Sequence, residues 1–168
     1  MTREDWLFWR KEAYALDGAA EALARATQRH DVEGFAREAA HSALWITELD
    51  NQLRDQHGRA AWDDLRRSAE VHDLLLGLRY VRNQSIHALV LFAEQMGERA
   101  PQRLTEPLPS LPQWLAEGLP EGHFPDLRVA YHSELAGKPV LPSLVRAIDW
   151  LHARALTMPG APRPTFLG

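Results

Sequence analysis

Apolar positions recur at three- and four-residue steps along most of this chain, the period of a helix buried on one face. Trp6, Trp9, Ala13, Leu16, Ala20, Leu23 and Ala24 mark a first helix over residues 3–29, weakened only at Gly18. Asp31 is placed to cap a second helix, because a carboxylate there accepts from the free N–H groups of the first turn. Phe35, Ala39, Ala43, Ile46, Leu49 and Leu53 form the buried stripe of that helix, and Ala36, Ala40 and Leu44 widen it. A break at Gln56-His57-Gly58 follows from glycine's access to the left-handed turn that ends helices. The two helices then form an antiparallel pair.

A third helical pattern runs from Trp62 to Gly97, with a bend expected near Ser68 or Gly77. Val71, Leu74, Leu75, Leu78, Val81, Ser85, Leu89, Phe92 and Met96 form one stripe; Leu76, Tyr80, Ile86, Val90 and Ala93 add others. A helix apolar nearly all round belongs at the centre of a bundle or at an oligomer interface. Asp63 and Asp64 read as first-turn residues complementing the helix dipole. Prolines 101, 107, 109, 112, 120 and 125 then exclude a long helix and predict an extended wrap over residues 100–126. One helical turn is expected at Gln113 to Glu117, with Trp114, Leu115, Leu119 and Phe124 pinning the wrap to the bundle. A short helix from Leu127 to Leu135 and a last one from Pro142 to about Leu156 follow, the latter opened by proline in a favoured first-turn position. Its Leu144, Val145, Ile148, Leu151 and Leu156 are expected to face inward. The prediction is one all-α domain over residues 1–158, an up-and-down helical bundle with a long central helix, a Pro-rich wrap and a C-terminal helix. Residues 159–168 form a loose tail.

Composition narrows the functional classes. At 168 residues the chain can bury one good core, and 45% hydrophobic with 25% charged residues is an ordinary globular balance. The run of about 18 apolar residues that a membrane span requires is missing, and the charged start differs from a secretory signal. The lack of cysteine excludes disulfides and thiolate metal sites and fits the cytoplasm. A net charge of −4 supplies no global basic footprint, so RNA binding would rest on a local patch. The 17 arginines against 2 lysines read first as the codon bias of a GC-rich genome.

The candidate chemistry lies in Gly77 to His87, where two arginines, an asparagine, a glutamine and a histidine interrupt the most apolar helix. Buried without partners, such groups cost about 1–3 kcal/mol each, so they need hydrogen bonds or a task. On a regular helix Arg79, Asn83 and His87 share a face, whereas Arg82 and His87 point about 140° apart. Arg82-Asn83-Gln84-Ser85-Ile86-His87 resembles the signature of the HEPN superfamily, an arginine followed by a histidine after four to six residues, with a polar residue often directly after the arginine. The bare spacing recurs at Arg25 to His30, Arg67 to His72, Arg66 to His72 and Arg146 to His152, but only Arg82 precedes an asparagine inside an apolar helix. The resemblance implies a homodimer that pairs two such motifs in a metal-independent endoribonuclease site, in a toxin–antitoxin or phage-defence setting. His87 would be its acid or base, Arg82 or Arg79 its phosphate contact and Asn83 its orienter. RNA and an antitoxin or other protein are the implied partners. From about residue 74 to 151 the order Gly77 to His87, Trp114, Tyr131 and Leu135-Ala136-Gly137-Lys138-Pro139-Val140 is also similar to small uncharacterised proteins of GC-rich bacteria.

The chemistry fits that implication. Histidine titrates near neutrality, and arginine keeps its charge and forks onto phosphate oxygens. One histidine and one arginine are too few for RNA cleavage, and a two-fold axis doubles both. The competing reading makes Arg79, Asn83 and His87 interface hydrogen bonds of a non-catalytic interaction or dimerisation module. His41, His72 and His87 invite a metal reading, but with no His-Glu-x-x-His motif and no cysteine the expectation is no metal. No glycine-rich phosphate loop appears, so no cofactor is expected either.

Overall fold

The local helix signals are followed over most of the chain that the computed structural model describes, residues 17, 18, 20–22, 24, 25, 28, 32–85, 113–116 and 124–155. The architecture over those residues is all-α. Every described position from 17 to 28 is helical. Gly18 lies against Trp45, where an added Cβ would come within 2.7 Å of the indole ring, so the residue that weakens this helix by propensity is there for close packing. Trp6, Trp9 and the Asp31 cap lie outside the described residues.

Helix α1, Val32–His57, buries Phe35, Ala39, Ala43, Ile46, Leu49 and Leu53, the predicted stripe, together with Ala36, while Ala40 and Leu44 are half-buried. Gly58 ends it with φ 82°, a conformation that only glycine adopts freely. Helix α2, Arg59–Ser68, and helix α3, His72–Ser85, replace the first part of the expected continuous central helix. The helix stops at Ser68, one of the two places where a bend is expected: Ala69 and Glu70 form a turn, and Glu70 takes φ 55°. The amides of Ala69, Glu70 and Val71 return to the carbonyls of Leu65, Arg67 and Arg66, so the open end of α2 is satisfied backbone to backbone. Asp63 and Asp64 therefore stand beyond the first turn of α2, because that helix starts at Arg59 and not at Trp62. Both carboxylates are ion-paired to arginines instead.

Helix α3 runs through Gly77 without a break. It packs on α1 and on helix α4, Pro125–Glu134, while helix α5, Val140–Ala155, packs on α1. Gly77 sets the α3–α4 approach: a Cβ would sit 3.2 Å from the Tyr131 Cα and 3.1 Å from Leu135 Cδ1. Alanine there gains about 1 kcal/mol of helix propensity but overpacks at a cost of about 1–3 kcal/mol. Because backbone cannot yield as a side-chain tip can, Gly77→Ala is expected to lose up to about 2 kcal/mol in urea unfolding; a more stable variant would refute the close approach.

The described part of the wrap, residues 113–116, is extended rather than helical. Gln113 forms an isolated antiparallel bridge with Pro139, Trp114 N–H donates to the Lys138 carbonyl, and Gly137 N–H donates to the Trp114 carbonyl, both at 2.9 Å. Those bonds satisfy the backbone that a helical turn would have paired internally. Trp114 and Leu115 are buried as expected. Phe124 is not a pin: it precedes α4 and is 49% exposed. In α5 the buried positions are Val140, Leu144, Ala147, Leu151 and Ala155, so Val145, one step beyond Leu144, turns outward. Pro142 falls in the first turn, where a missing N–H costs no hydrogen bond. No helix of the described residues is long and apolar enough to cross a membrane.

Candidate functional site

The buried face of α1 carries polar residues that hydrophobic periodicity does not account for, Glu38, Ser42, Thr47 and Asp50. Asp50 sits between Ile46 and Leu53 on the buried face and is 1% exposed. Its carboxylate accepts from Trp62 Nε1 at 2.9 Å, from Arg66 Nη1 at 3.1 and 2.8 Å, and from Arg79 Nη2 at 3.0 Å. Arg66 is equally buried and spans from Asp50 to Asp63, while Asp63 also accepts from Arg54 at 3.0 Å. The ion chain Arg54–Asp63–Arg66–Asp50–Arg79 thus threads α1, α2 and α3, and Asn51 accepts from Arg79 at its end. Each buried ion pays several kcal/mol in lost hydration, so the chain holds only because nearly every charge is shared between two partners.

Electrostatics follow the same geometry. Burial alone would raise the Asp63 carboxyl, but the hydrogen bond from Arg54 and the charges of Arg66 and Arg54 outweigh it and hold the group below the ordinary carboxylate range. Arg79 is lowered, first by burial and then, against the pull of Asp50, by the positive charges of Arg66, Arg54 and Arg82. His72, at the start of α3, is lowered by burial and by Arg66 and Arg67. It therefore favours the neutral imidazole.

One turn further along α3, Arg82 donates to Asn83 Oδ1 and to Glu48 Oε1, both at 3.2 Å. Asn83 thus contacts the arginine that it follows in sequence. Arg82 is 33% exposed and Glu48 38%, against 19% for Arg79. An exposed pair of this kind contributes about 0.2–1 kcal/mol, so Arg82 is tethered and not locked. Glu48 meets Arg82 while Asp50 meets Arg79, so α1 and α3 run antiparallel. His87 lies outside the described residues.

The two arginines that sequence left as alternatives therefore occupy different places. Arg79 belongs to the interior ion chain, and Arg82 stands at its solvent edge. Sequence reading missed Asp50, Arg54, Trp62, Asp63 and Arg66 as parts of one network. The available signal was a carboxylate in the apolar stripe of α1 and an arginine one turn after Trp62, both at positions that periodicity assigns to the core.

A second cluster joins the first helical stretch to α1. Glu38, buried, accepts from Arg25 Nε at 2.9 Å, and His41 Nδ1 lies 3.5 Å from the same oxygen. Burial works to raise Glu38, yet the hydrogen bond and charge of Arg25, with a smaller contribution from His41, lower it overall. Among the described residues no group of three or more His, Asp or Glu side chains is arranged to hold a metal ion. No protein-family model, no curated protein and no solved structure matches the chain.

Proposed function

We propose that the protein is a HEPN-like, metal-independent endoribonuclease of a toxin–antitoxin or phage-defence system, with its site completed across a homodimer seam. The observation that supports this reading is the state of Arg82: partly open to water, tethered by Asn83 and Glu48, and one turn beyond an ion chain that occupies Arg79. In this reading Arg82 is the phosphate contact, Asn83 orients it, and Arg79 positions α3 from within. His87 of one subunit takes the proton of the ribose 2′-OH as that oxygen bonds to phosphorus. His87 of the other subunit protonates the departing 5′-oxygen, leaving a cyclic phosphate and a 5′-hydroxyl end. Arg82 carries the charge that builds on the phosphorane oxygens.

The test is cleavage of a fluorogenic RNA with EDTA present, comparing wild type with His87→Ala and Arg82→Ala. Wild type is expected to cleave and both variants to fail while keeping wild-type circular dichroism and sedimentation. A folded, dimeric His87→Ala protein that cleaves at the wild-type rate would sink the proposal.

The pairs Arg79–Asp50 and Arg82–Glu48 also favour a second reading, because both tie α3 to α1 as a packing device does. There the protein is a non-catalytic dimerisation or interaction module. Its signature is a wild type without RNA cleavage whose association weakens on His87→Ala.

A further inference from the structure

We propose that the α1–α3 seam at Arg79 and Arg82 is a phosphate-binding site in which the Glu48 carboxylate occupies the ligand's place, so that a phosphate group enters by displacing Glu48 from Arg82. The proposal rests on reading Arg82 as a phosphate contact, and it deepens that reading by naming the group that the ligand must replace.

The first support is a charge imbalance. The chain Arg54–Asp63–Arg66–Asp50–Arg79 contains three guanidinium groups and two carboxylates, and a cation stands at each end. Arg79 is the end nearest Arg82, three residues away on the adjoining turn of α3. After burial, the largest influence on Arg79 is the pull of Asp50, and the like charges of Arg66, Arg54 and Arg82 oppose it.

The second support is the difference between the carboxylates. Asp50 and Asp63 are each shared by two arginines, and Asp50 also accepts from Trp62, so neither can leave. Glu48 is held by Arg82 alone among the described residues, and it is the most exposed of the three. Its side chain can turn into water without uncovering a buried charge. A phosphate group arriving in its place offers two oxygens to the planar fork of Arg82 and lies within the field of Arg79. Glu48 therefore sets a threshold: weakly charged ligands fail to displace it, and a phosphate succeeds.

The test uses the full-length protein and inorganic phosphate, with no RNA. Arginine side-chain Nε–H signals are followed by 1H–15N NMR in wild type and Glu48→Gln, and Arg82→Lys identifies the Arg82 signal by its loss. Phosphate, and not chloride at matched ionic strength, is expected to shift the Arg82 signal saturably. In Glu48→Gln the phosphate concentration at half-saturation is expected to fall about two- to fivefold, the range that an exposed ion pair allows. Equal half-saturation in the two proteins, or no saturable shift in either, overturns the proposal. Phosphate binding that strengthens in Glu48→Gln without RNA cleavage by wild type rejects the nuclease and leaves the displacement standing. Cleavage with no effect of Glu48→Gln on phosphate rejects the displacement alone.

Discussion

Asp50→Ala is expected to lower the unfolding free energy by about 3–5 kcal/mol, because it removes one partner of a buried ion network and leaves the others uncompensated. Arg66 is 1% exposed and would lose both contacts from its Nη1, keeping only Asp63. Trp62 Nε1 would lose its acceptor, and Arg79 would keep only Asn51. Asp50→Asn preserves shape and one acceptor oxygen but loses the charge, so an intermediate loss is expected. The pairwise part of the effect can be isolated with Asp50→Leu and Arg66→Met: the double variant should recover part of the loss of the single ones, since the stranded guanidinium disappears. Urea unfolding at neutral pH measures all five variants. An Asp50→Ala protein within about 0.5 kcal/mol of wild type, the ordinary effect of a surface change, would mean that the network contributes nothing.

Tyr131→Ala is expected to cost a similar amount, about 3–5 kcal/mol, as for other large buried aromatic side chains. Tyr131 is fully buried on α4 against Tyr80, with ring centroids 5.4 Å apart. Its hydroxyl donates to the Leu115 carbonyl at 2.7 Å, so one side chain fills the α3–α4 contact and holds the wrap. Tyr131→Phe separates the two roles: the ring remains, and the Leu115 carbonyl loses its donor at a cost of about 1–3 kcal/mol. Burial, and to a smaller extent Tyr80, pushes the Tyr131 hydroxyl well above the usual phenol range. A group whose folded pKa is raised stabilises the fold fully below its unfolded value and loses that contribution as pH rises. Stability should therefore decline above about pH 10, where the unfolded chain's tyrosine ionises. Tyr131→Phe should show a shallower decline than wild type. Equal alkaline slopes in the two proteins would assign the effect to other groups.

The helices were legible because the information that makes them is local. A stripe at three- and four-residue spacing marked α1, and Gly58 marked its end with the positive φ that ordinary residues avoid. The same logic located α4 within two residues at its start and placed Trp114 and Leu115 in the core. It failed at two places, one where backbone pairing came from far away in sequence and one where a single residue took an unusual conformation. Residues 113–116 became extended because the turn between α4 and α5 offered partners, and the break after Ser68 is closed by Glu70 in a left-handed conformation that its residue type does not advertise. Val145 shows the narrower error: it belongs to an apolar run, but Leu144 and Ala147 already define the inward face.

For the site, sequence was sufficient to draw attention to Arg79, Arg82 and Asn83, since polar residues inside an apolar helix are costly wherever the chain folds. It also fixed the all-α class through periodicity, which needs only neighbours within two turns. Which arginine faces water was decided by partners 29 and 34 residues away, Asp50 for Arg79 and Glu48 for Arg82. Arg66 reaches Asp50 across 16 residues. Charge pairing across helices depends on rotation and register, and an apolar stripe constrains those to a face but not to a contact. Only the packed α1–α2–α3 arrangement could place one arginine in an interior ion chain and leave its neighbour, one turn away, partly open to water.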